Sequence, residues 1–273
     1  MRKEETKERS DTSNYPLFQE RKSEGESLLF LFKIMARDSD ISMVIHGIQK
    51  LTLVDYPGHP ASILFSGNCN FRCPFCQNSP LVLYSDEEPV LDNDEIFSFL
   101  KKRKGMLEGV VVTGGEPTIN RDLIPFLSSL KDLGYLVKLD TNGYRPDVLR
   151  QAVEKGVVDY VAMDIKTSLD EYPKLCGVEN IDTSRIKESI DYLMTGVVDY
   201  EFRTTVVEPL HHEENFKKIG QITKGCRRYF LQSFVESGNI LGKNCFPPSS
   251  GQLQNYLEIL SSYIENVSIR DRG

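Results

Sequence analysis

The alternation of short apolar runs with amphipathic helical segments constrains the fold of this 273-residue chain more than any other feature. Six runs rich in Val, Ile, Phe and Tyr are almost continuously apolar, as expected of strands covered on both faces. They span residues 62–68, 109–115, 135–143, 159–167, 199–207 and 228–236. Six strand–helix units predict an α/β fold, with a parallel sheet and helices outside it. Alternation alone does not separate a doubly wound sheet from a barrel.

The segments between these runs carry apolar residues at helical spacing. Such spacing places them on one face, which packs against a sheet. A last helix is predicted over residues 251–264. The two clearest stripes earlier in the chain are Leu123, Phe126, Leu127 and Leu130, and then Ile186, Ile190, Leu193 and Met194.

The N-terminal part of the chain does not show this alternation of strand and helix patterns. Residues 1–26 mix charges of both signs with few apolar residues, so they are expected to stay disordered. The apolar patch from Ser27 to Met35 makes a poor signal peptide, because acidic residues precede it and no small-residue cleavage site follows. Met35 and Met43 are both possible internal starts.

The charge balance excludes some functions. Lys and Arg number 33 against 40 Asp and Glu, a net charge of −7 that argues against non-specific nucleic-acid binding. No apolar run approaches the length of a membrane span. Six cysteines in a chain of this length do not indicate a disulfide scaffold. We therefore expect a cytoplasmic protein without a membrane or nucleic-acid partner.

Polar residues cluster where the predicted strands end. In parallel α/β folds these ends form one rim, where active sites are built. The signals in chain order are Cys69, Cys73 and Cys76; Gly114, Gly115, Glu116 and Pro117; Asp140, Thr141, Asn142 and Gly143; Asp164 and Lys166; Arg203, Thr204 and Thr205; and Gln232.

The three clustered cysteines have the form C-x3-C-x2-C. Three thiolates can hold three irons of a [4Fe–4S] cluster and leave the fourth iron open. A structural zinc site needs four protein ligands, and the nearest histidine, His59, lies ten residues upstream. A disulfide with one free thiol is the third possibility. The remaining cysteines, Cys176, Cys226 and Cys245, are distant in sequence and are interpreted as plain thiols.

The turn TGGEP from Thr113 to Pro117 is less specific. Two glycines let the backbone approach a ligand, or simply allow a tight turn. The Glu116 carboxylate is able to accept hydrogen bonds from a ligand ammonium. The segment is not a phosphate loop, because no Gly-Lys-Ser/Thr follows it.

In this order the motifs CNFRCPFC, TGGEP, LDTNG and DIKT resemble those of radical S-adenosylmethionine (SAM) enzymes. More narrowly, GIQKLTLVDYPG (residues 47–58) and YEFRTTVVEP resemble the anaerobic ribonucleoside-triphosphate reductase activating proteins, cousins of the pyruvate formate-lyase activating enzymes. The resemblance starts near Met43. It implies a partial (βα)6 TIM-type barrel forming a single radical SAM domain over residues 43–273, with residues 1–42 as a disordered arm.

The resemblance also implies the chemistry. A [4Fe–4S] cluster on Cys69, Cys73 and Cys76 would bind SAM through its open iron. One electron from the reduced cluster would break the sulfonium–C5′ bond, giving methionine and a 5′-deoxyadenosyl radical. That radical would take a hydrogen from a glycine of a large partner of the anaerobic ribonucleotide reductase type, while a flavodoxin or ferredoxin would supply the electron.

The residues implied for the SAM pocket follow the same motifs. Phe75 would lie near the adenine, and Gly114, Gly115 and Glu116 would bind the methionyl ammonium. Asp140, Asp164 and Lys166 match residues around the pocket, with Lys166 predicted to act with the cysteines in catalysis. In the pyruvate formate-lyase activating enzymes the two aspartates and the Thr141 position also hold a monovalent cation. Strand-end caps and a surface ion pair remain the plainer interpretation.

Arg203 is expected either to bind the methionyl carboxylate or to pair with an aspartate. Two departures from the activating enzymes stand out: Gln77 replaces a common histidine, and no late pocket histidine is evident near Gln232 and Val235. His211 and His212 precede a predicted helix and are interpreted as surface or cap residues.

Two other functions stay open at this point. A radical SAM enzyme of this length can also act on a small molecule, as the 7-carboxy-7-deazaguanine synthases do. A zinc-stabilised binding module without catalytic activity is the third possibility.

Overall fold

Eight strands lie side by side in one sheet, in the order in which they occur along the chain. The computed structural model describes residues 43–83, 85–236 and 238–270, so the predicted arm of residues 1–42 lies outside the described residues. The strands are β1 Ile45–Thr52, β2 Ala61–Ser66, β3 Gly109–Gly114, β4 Leu136–Thr141, β5 Tyr160–Asp164, β6 Asp199–Val206, β7 Tyr229–Ser233 and β8 Val267–Ile269.

All neighbouring strands from β2 to β8 pair in parallel, which confirms the predicted α/β fold. Residues from each of the strands β2 to β7 line a common cavity, so the sheet curves into a partial barrel with β1 and β8 at its edges. β1 was not predicted as a strand. It pairs antiparallel with β2, and only Ile45 and Thr52 of its residues are buried. An edge strand of this kind shows little hydrophobic alternation.

Helices occupy the connections between the strands. They are α1 Ser79–Leu83, α2 Asn93–Arg103, α3 Leu123–Asp132, α4 Pro146–Glu154, α5 Tyr172–Cys176, α6 Ser184–Met194, α7 Glu213–Ile222 and α8 Ser250–Ser261, with a 3₁₀ turn at Pro117–Ile119. Both predicted stripes are confirmed: Leu123, Leu127 and Leu130 of α3 and Ile186, Ile190 and Leu193 of α6 are fully buried. Among the described residues no helix is both long and apolar enough to cross a bilayer.

The core has two parts. The larger part lies between the sheet and its helices and is built from Val, Ile, Leu and Phe side chains. A smaller apolar cluster forms the lower interior of the barrel, towards the start of the parallel strands, and contains Tyr56, Ala61, Ile63, Val111, Tyr160 and Ala162. Because apolar residues close the lower interior, the strand ends carrying the polar motifs form the mouth of the barrel.

Candidate active site

One cavity of about 770 Å³ is lined by all the residues that the resemblance assigns to the cluster and the SAM pocket. This volume falls within the usual range for small-molecule sites. It is lined by Cys69, Cys73, Phe75, Cys76, Gly114, Gly115, Glu116, Asp140, Asp164, Lys166 and Arg203. Five separate chain segments therefore converge, because parallel strands bring their carboxyl ends to the same rim.

The three cysteines lie on the loop that follows β2. The Cys76 amide donates to the Cys73 carbonyl at 3.0 Å, which forms a turn between the last two thiols. The amide of Gly242 donates to the Pro74 carbonyl at 2.7 Å, so a distant segment holds the loop from outside. The Phe71 amide donates to Cys69 Sγ at 3.4 Å. Backbone contacts thus fix the position of the loop that carries the thiols.

Cys176 is not the isolated thiol that sequence reasoning expected. It ends α5, is fully buried, and hydrogen-bonds the Cys73 side chain, a contact that lowers the pKa of Cys73. Its carbonyl also accepts from the Arg72 amide at 2.7 Å. A contact across about one hundred residues leaves no local signal in a sequence. Cys226 and Cys245 are buried, as expected of plain thiols.

In the TGGEP turn, the main chain packs directly against the main chain of Ser66 and Asn68. Gly114 has a φ of +115°, and a Cβ there would collide with the main chain of Ser66. A Cβ on Gly115 would collide with the Asn68 carbonyl oxygen, to which the next amide, that of Glu116, donates at 2.8 Å. Only glycine allows this approach of the β3 turn to the loop that carries the cysteines.

Glu116 is buried and surrounded by donors from this chain. Its Oε1 accepts from the Thr118 amide at 3.1 Å and from Thr141 Oγ1 at 2.7 Å, and its Oε2 accepts from the Asn142 amide at 2.6 Å. Burial raises the pKa of this carboxyl, and the hydrogen bonds from Thr118, Asn142 and Thr141 oppose that rise. The carboxylate ties the β3 turn to the end of β4. Its role as a ligand for an ammonium stays a prediction.

Inside the mouth, five charged side chains alternate in sign, and we call them the charge chain: Lys138, Asp140, Arg203, Asp164 and Lys166. Lys138 Nζ lies 2.5 Å from Asp140 Oδ1, and Arg203 Nη1 lies 3.2 Å from Asp140 Oδ2. Arg203 Nε lies 2.8 Å from Asp164 Oδ1, and Lys166 Nζ lies 3.1 Å from Asp164 Oδ2. Arg203 therefore bridges both aspartates.

These contacts fix the ionisation of the aspartates. Burial works against the charged form of both, yet Arg203 and Lys138 hold the pKa of Asp140 below its ordinary value, and Arg203 and Lys166 do so for Asp164. Burial likewise opposes the charge of Lys166, but Asp164 keeps its pKa above the ordinary value. The Lys138 and Arg203 side chains are only 1% and 8% exposed, so their pairs with Asp140 are internal, whereas Lys166 and Asp164 at the outer end are 20% and 30% exposed.

Sequence reasoning missed Lys138, although a signal was present. Lys138 interrupts the apolar run YLVKLDT, and a charged residue within a strand covered on both faces requires a partner. Glu201 and Arg270 were also missed. They form a paired interaction at 2.7 and 2.8 Å, and Tyr160 donates to the same carboxylate at 2.8 Å.

The prediction for His211 is wrong. The residue is fully buried, its Nε2 lies 2.8 Å from the Lys166 carbonyl, and its ring packs against Phe75. His212 is the N-cap of α7 and its amide donates to Asn215 Oδ1 at 2.8 Å, so the cap interpretation is confirmed. Gln77, one of the two departures, donates to the Val235 carbonyl at 2.6 Å and links the cysteine loop to the segment after β7.

With this geometry in place, comparison with known proteins defines the class. Residues 63–224 match the Radical SAM superfamily, and the chain belongs to that superfamily. A relative from Methanocaldococcus jannaschii, the "Putative glycyl-radical enzyme activating enzyme MJ1227", is 30% identical over 233 residues, covering 83% of this chain and 95% of the relative. The "Probable GTP 3′,8-cyclase" of Saccharolobus solfataricus is 29% identical over 236 residues, covering 80% and 69%.

Among solved structures, SuiB of Streptococcus suis bound to S-adenosylmethionine matches with a TM-score of 0.57 at 15% identity. The match covers 76% of this chain and 48% of SuiB. At that identity it supports the fold alone. The partial radical SAM barrel predicted from the motifs is therefore confirmed.

The residues present fit a cluster and SAM. Three thiols face one cavity, an amide donates to one of the sulfurs, and such hydrogen bonds are typical of cluster-ligating thiolates. His59, the histidine nearest to the cysteines in sequence, pairs with Glu108 at 2.6 Å, where the chain enters β3. Each carboxylate oxygen of Asp140 and Asp164, the groups expected to bind a monovalent cation, lies within 3.2 Å of a cationic nitrogen of this chain.

Proposed function

We propose that this chain is a radical SAM activating enzyme that installs a glycyl radical on a partner of the anaerobic ribonucleotide reductase type. The observation that carries the proposal is the similarity to the M. jannaschii protein, which extends over 95% of that protein. The motifs in residues 47–58 and in YEFRTTVVEP support it.

In this proposal the residues of the cavity have separate roles. Cys69, Cys73 and Cys76 hold the cluster, and Phe75 contacts the adenine. When bound, the cluster and SAM supply an electron and a 5′-deoxyadenosyl radical, which removes a hydrogen atom from the partner's glycine.

The backbone of Gly114 and Gly115 shapes the wall where the methionyl group binds, and Glu116 holds that wall against β4. Arg203 and Lys166 provide fixed positive charges in a buried region, where they act more strongly than in water. We place the reaction in the cytoplasm, with a flavodoxin or ferredoxin as electron donor.

The proposal is tested by anaerobic reconstitution with iron and sulfide, followed by mixing with SAM, dithionite and the anaerobic ribonucleotide reductase of the same organism. We expect a glycyl radical signal by electron paramagnetic resonance and 5′-deoxyadenosine in the product mixture. The Cys73→Ala variant is the control and should give neither. Production of 5′-deoxyadenosine without a glycyl radical on this partner would contradict the partner assignment.

A small-molecule substrate is the second candidate. The observation that favours it is the similarity to the S. solfataricus protein at 29% identity. The same assay with GTP or a pterin in place of the protein partner tests it. Consumption of the small molecule, coupled to 5′-deoxyadenosine formation, would favour this candidate over the first.

A further inference from the structure

The charge chain contains more positive than negative groups. Three cationic side chains, Lys138, Arg203 and Lys166, surround the two carboxylates of Asp140 and Asp164. Each of the four carboxylate oxygens lies within 3.2 Å of a cationic nitrogen. In a buried region, every such pair must be compensated locally, because charges are weakly screened there.

The third group that would bind a monovalent cation is also occupied. Thr141 Oγ1 donates to Glu116 Oε1 at 2.7 Å and accepts from the Gly143 amide at 3.1 Å. Hard cations bind through several oxygens that have lone pairs available. A cation placed here would also add a positive charge to a chain that already has an excess of them.

We infer that the ammonium group of Lys138 takes the place of a monovalent cation beside Asp140, so that SAM binding by this protein requires neither sodium nor potassium. Lys138 lies two residues before Asp140 on β4, so both side chains face the barrel interior. The Lys138 side chain is 1% exposed, and its Nζ contacts Asp140 Oδ1. A tethered ammonium is present at any salt composition, whereas a bound ion depends on its concentration in solution.

The neighbouring acid does not account for Lys138. Glu201 is satisfied by Arg270, which contacts both of its oxygens, and by Tyr160. The direct ion pair of the Lys138 ammonium is therefore with Asp140, while its effect on Glu201 acts at longer range. The inference rests on SAM binding, which belongs to the superfamily, and not on which substrate the radical attacks.

The experiment is equilibrium dialysis of radiolabelled SAM against the anaerobically reconstituted full chain. It is carried out at equal ionic strength in choline chloride, sodium chloride or potassium chloride. For the wild type we expect the same dissociation constant in all three salts. A dissociation constant that falls several-fold when sodium or potassium replaces choline would overturn the inference.

The Lys138→Met variant keeps the length of the side chain and removes its charge. We expect its SAM affinity in choline chloride to fall by about tenfold or more, and to recover at least in part when sodium or potassium is present. Equal affinity in all salts, or a loss that no cation restores, would contradict the inference. Lys138→Arg should keep the salt independence of the wild type.

The matched control is Lys187→Met on α6. Lys187 is exposed and pairs with Asp191 at 2.6 Å, so its loss should leave SAM binding unchanged in every salt. Iron content and thermal unfolding of each variant separate a folding defect from a binding defect. Because the assay contains no protein partner, a failure to activate a ribonucleotide reductase has no effect on its outcome.

Discussion

The mouth and the lower interior of the barrel each bury one glutamate, and the two residues have different partners. Glu116 at the mouth is 1% exposed and contacts hydroxyls and amides. Glu201 in the lower interior is fully buried and contacts the Arg270 guanidinium on both of its oxygens. Burial raises the pKa of Glu116. It opposes the ionisation of Glu201 as well, but Arg270, Arg203 and Lys138 hold that pKa below its ordinary value.

The difference shows that partners, rather than burial, set the charge of an internal carboxyl group. At the mouth, Glu116 contacts no countercharge, and the pKa of the neighbouring Cys69 is raised to about 12, first by burial and then by the Glu116 carboxylate. A paired carboxylate suits the lower interior, where Glu201 on β6 holds Arg270 beside β8 and closes the edge of the sheet.

The largest expected effect is the loss of bound iron and of activity after a substitution at the mouth of the barrel. Cys73→Ala is expected to remove the bound iron and to reduce 5′-deoxyadenosine production to the level of a mixture without enzyme, because it removes one of the three proposed cluster ligands. Iron analysis and chromatography of the products measure both. The control is Cys226→Ala, which removes another buried thiol that contacts the Arg228 carbonyl. Equal iron and product in the two variants would show that Cys73 is not a ligand.

The second largest expected effect is a loss of stability after a substitution in the lower interior of the barrel. Glu201→Gln leaves the Arg270 guanidinium without its carboxylate, and breaking such a buried pair costs about 3 kcal/mol of the free energy of unfolding. Chemical denaturation of the wild type and the variant measures it. Glu188→Gln is the control, since the Glu188–Arg150 pair is about half exposed and should contribute less than about 1 kcal/mol. Similar losses in the two variants would remove the distinction between the regions.

A smaller effect is expected from the turn of the mouth. Gly115→Ala places a Cβ against the Asn68 carbonyl oxygen, and overpacking of this kind costs about 2 kcal/mol. SAM affinity should fall as well, because the cysteine loop has to move away. Calorimetry and dialysis measure the two effects. Gly251→Ala serves as control, since nothing lies within 4 Å of the Cβ it would add on α8. A variant that binds SAM like the wild type would show that the turn does not position the loop.

Sequence reasoning predicted the six central strands and the convergence of the site, because both depend on local patterns. Apolar runs mark buried strands, and the topology of parallel sheets brings their ends together. It did not predict β1, whose residues are mostly exposed along the edge of the sheet.

Contacts between distant segments of the chain were also not predicted from the sequence. The Cys73–Cys176 hydrogen bond and the packing of His211 against Phe75 join parts of the chain that no local pattern relates. Lys138 differs from these, because its position within an apolar strand was visible and its partner was only two residues away. A buried charge in a predicted strand is thus a signal that sequence analysis can use.

The smallest expected effect is a difference in pH dependence between the two glutamates. The lowered pKa of Glu201 means that its ionisation stabilises the fold above its ordinary pKa of 4.5, and that this contribution is lost as the pH falls through the lowered value. The raised pKa of Glu116 has the opposite sign: its contribution is full below 4.5 and is lost as the pH rises through the raised value.

Denaturation of the wild type, Glu116→Gln and Glu201→Gln over a range from acidic pH, below 4.5, to neutral pH tests this pair of signs. The stability difference between the wild type and Glu201→Gln should shrink as the pH falls below 4.5. The difference between the wild type and Glu116→Gln should shrink as the pH rises. Two differences that change in the same direction would mean that a cation also reaches Glu116, and the contrast between the mouth and the lower interior would then have to be abandoned.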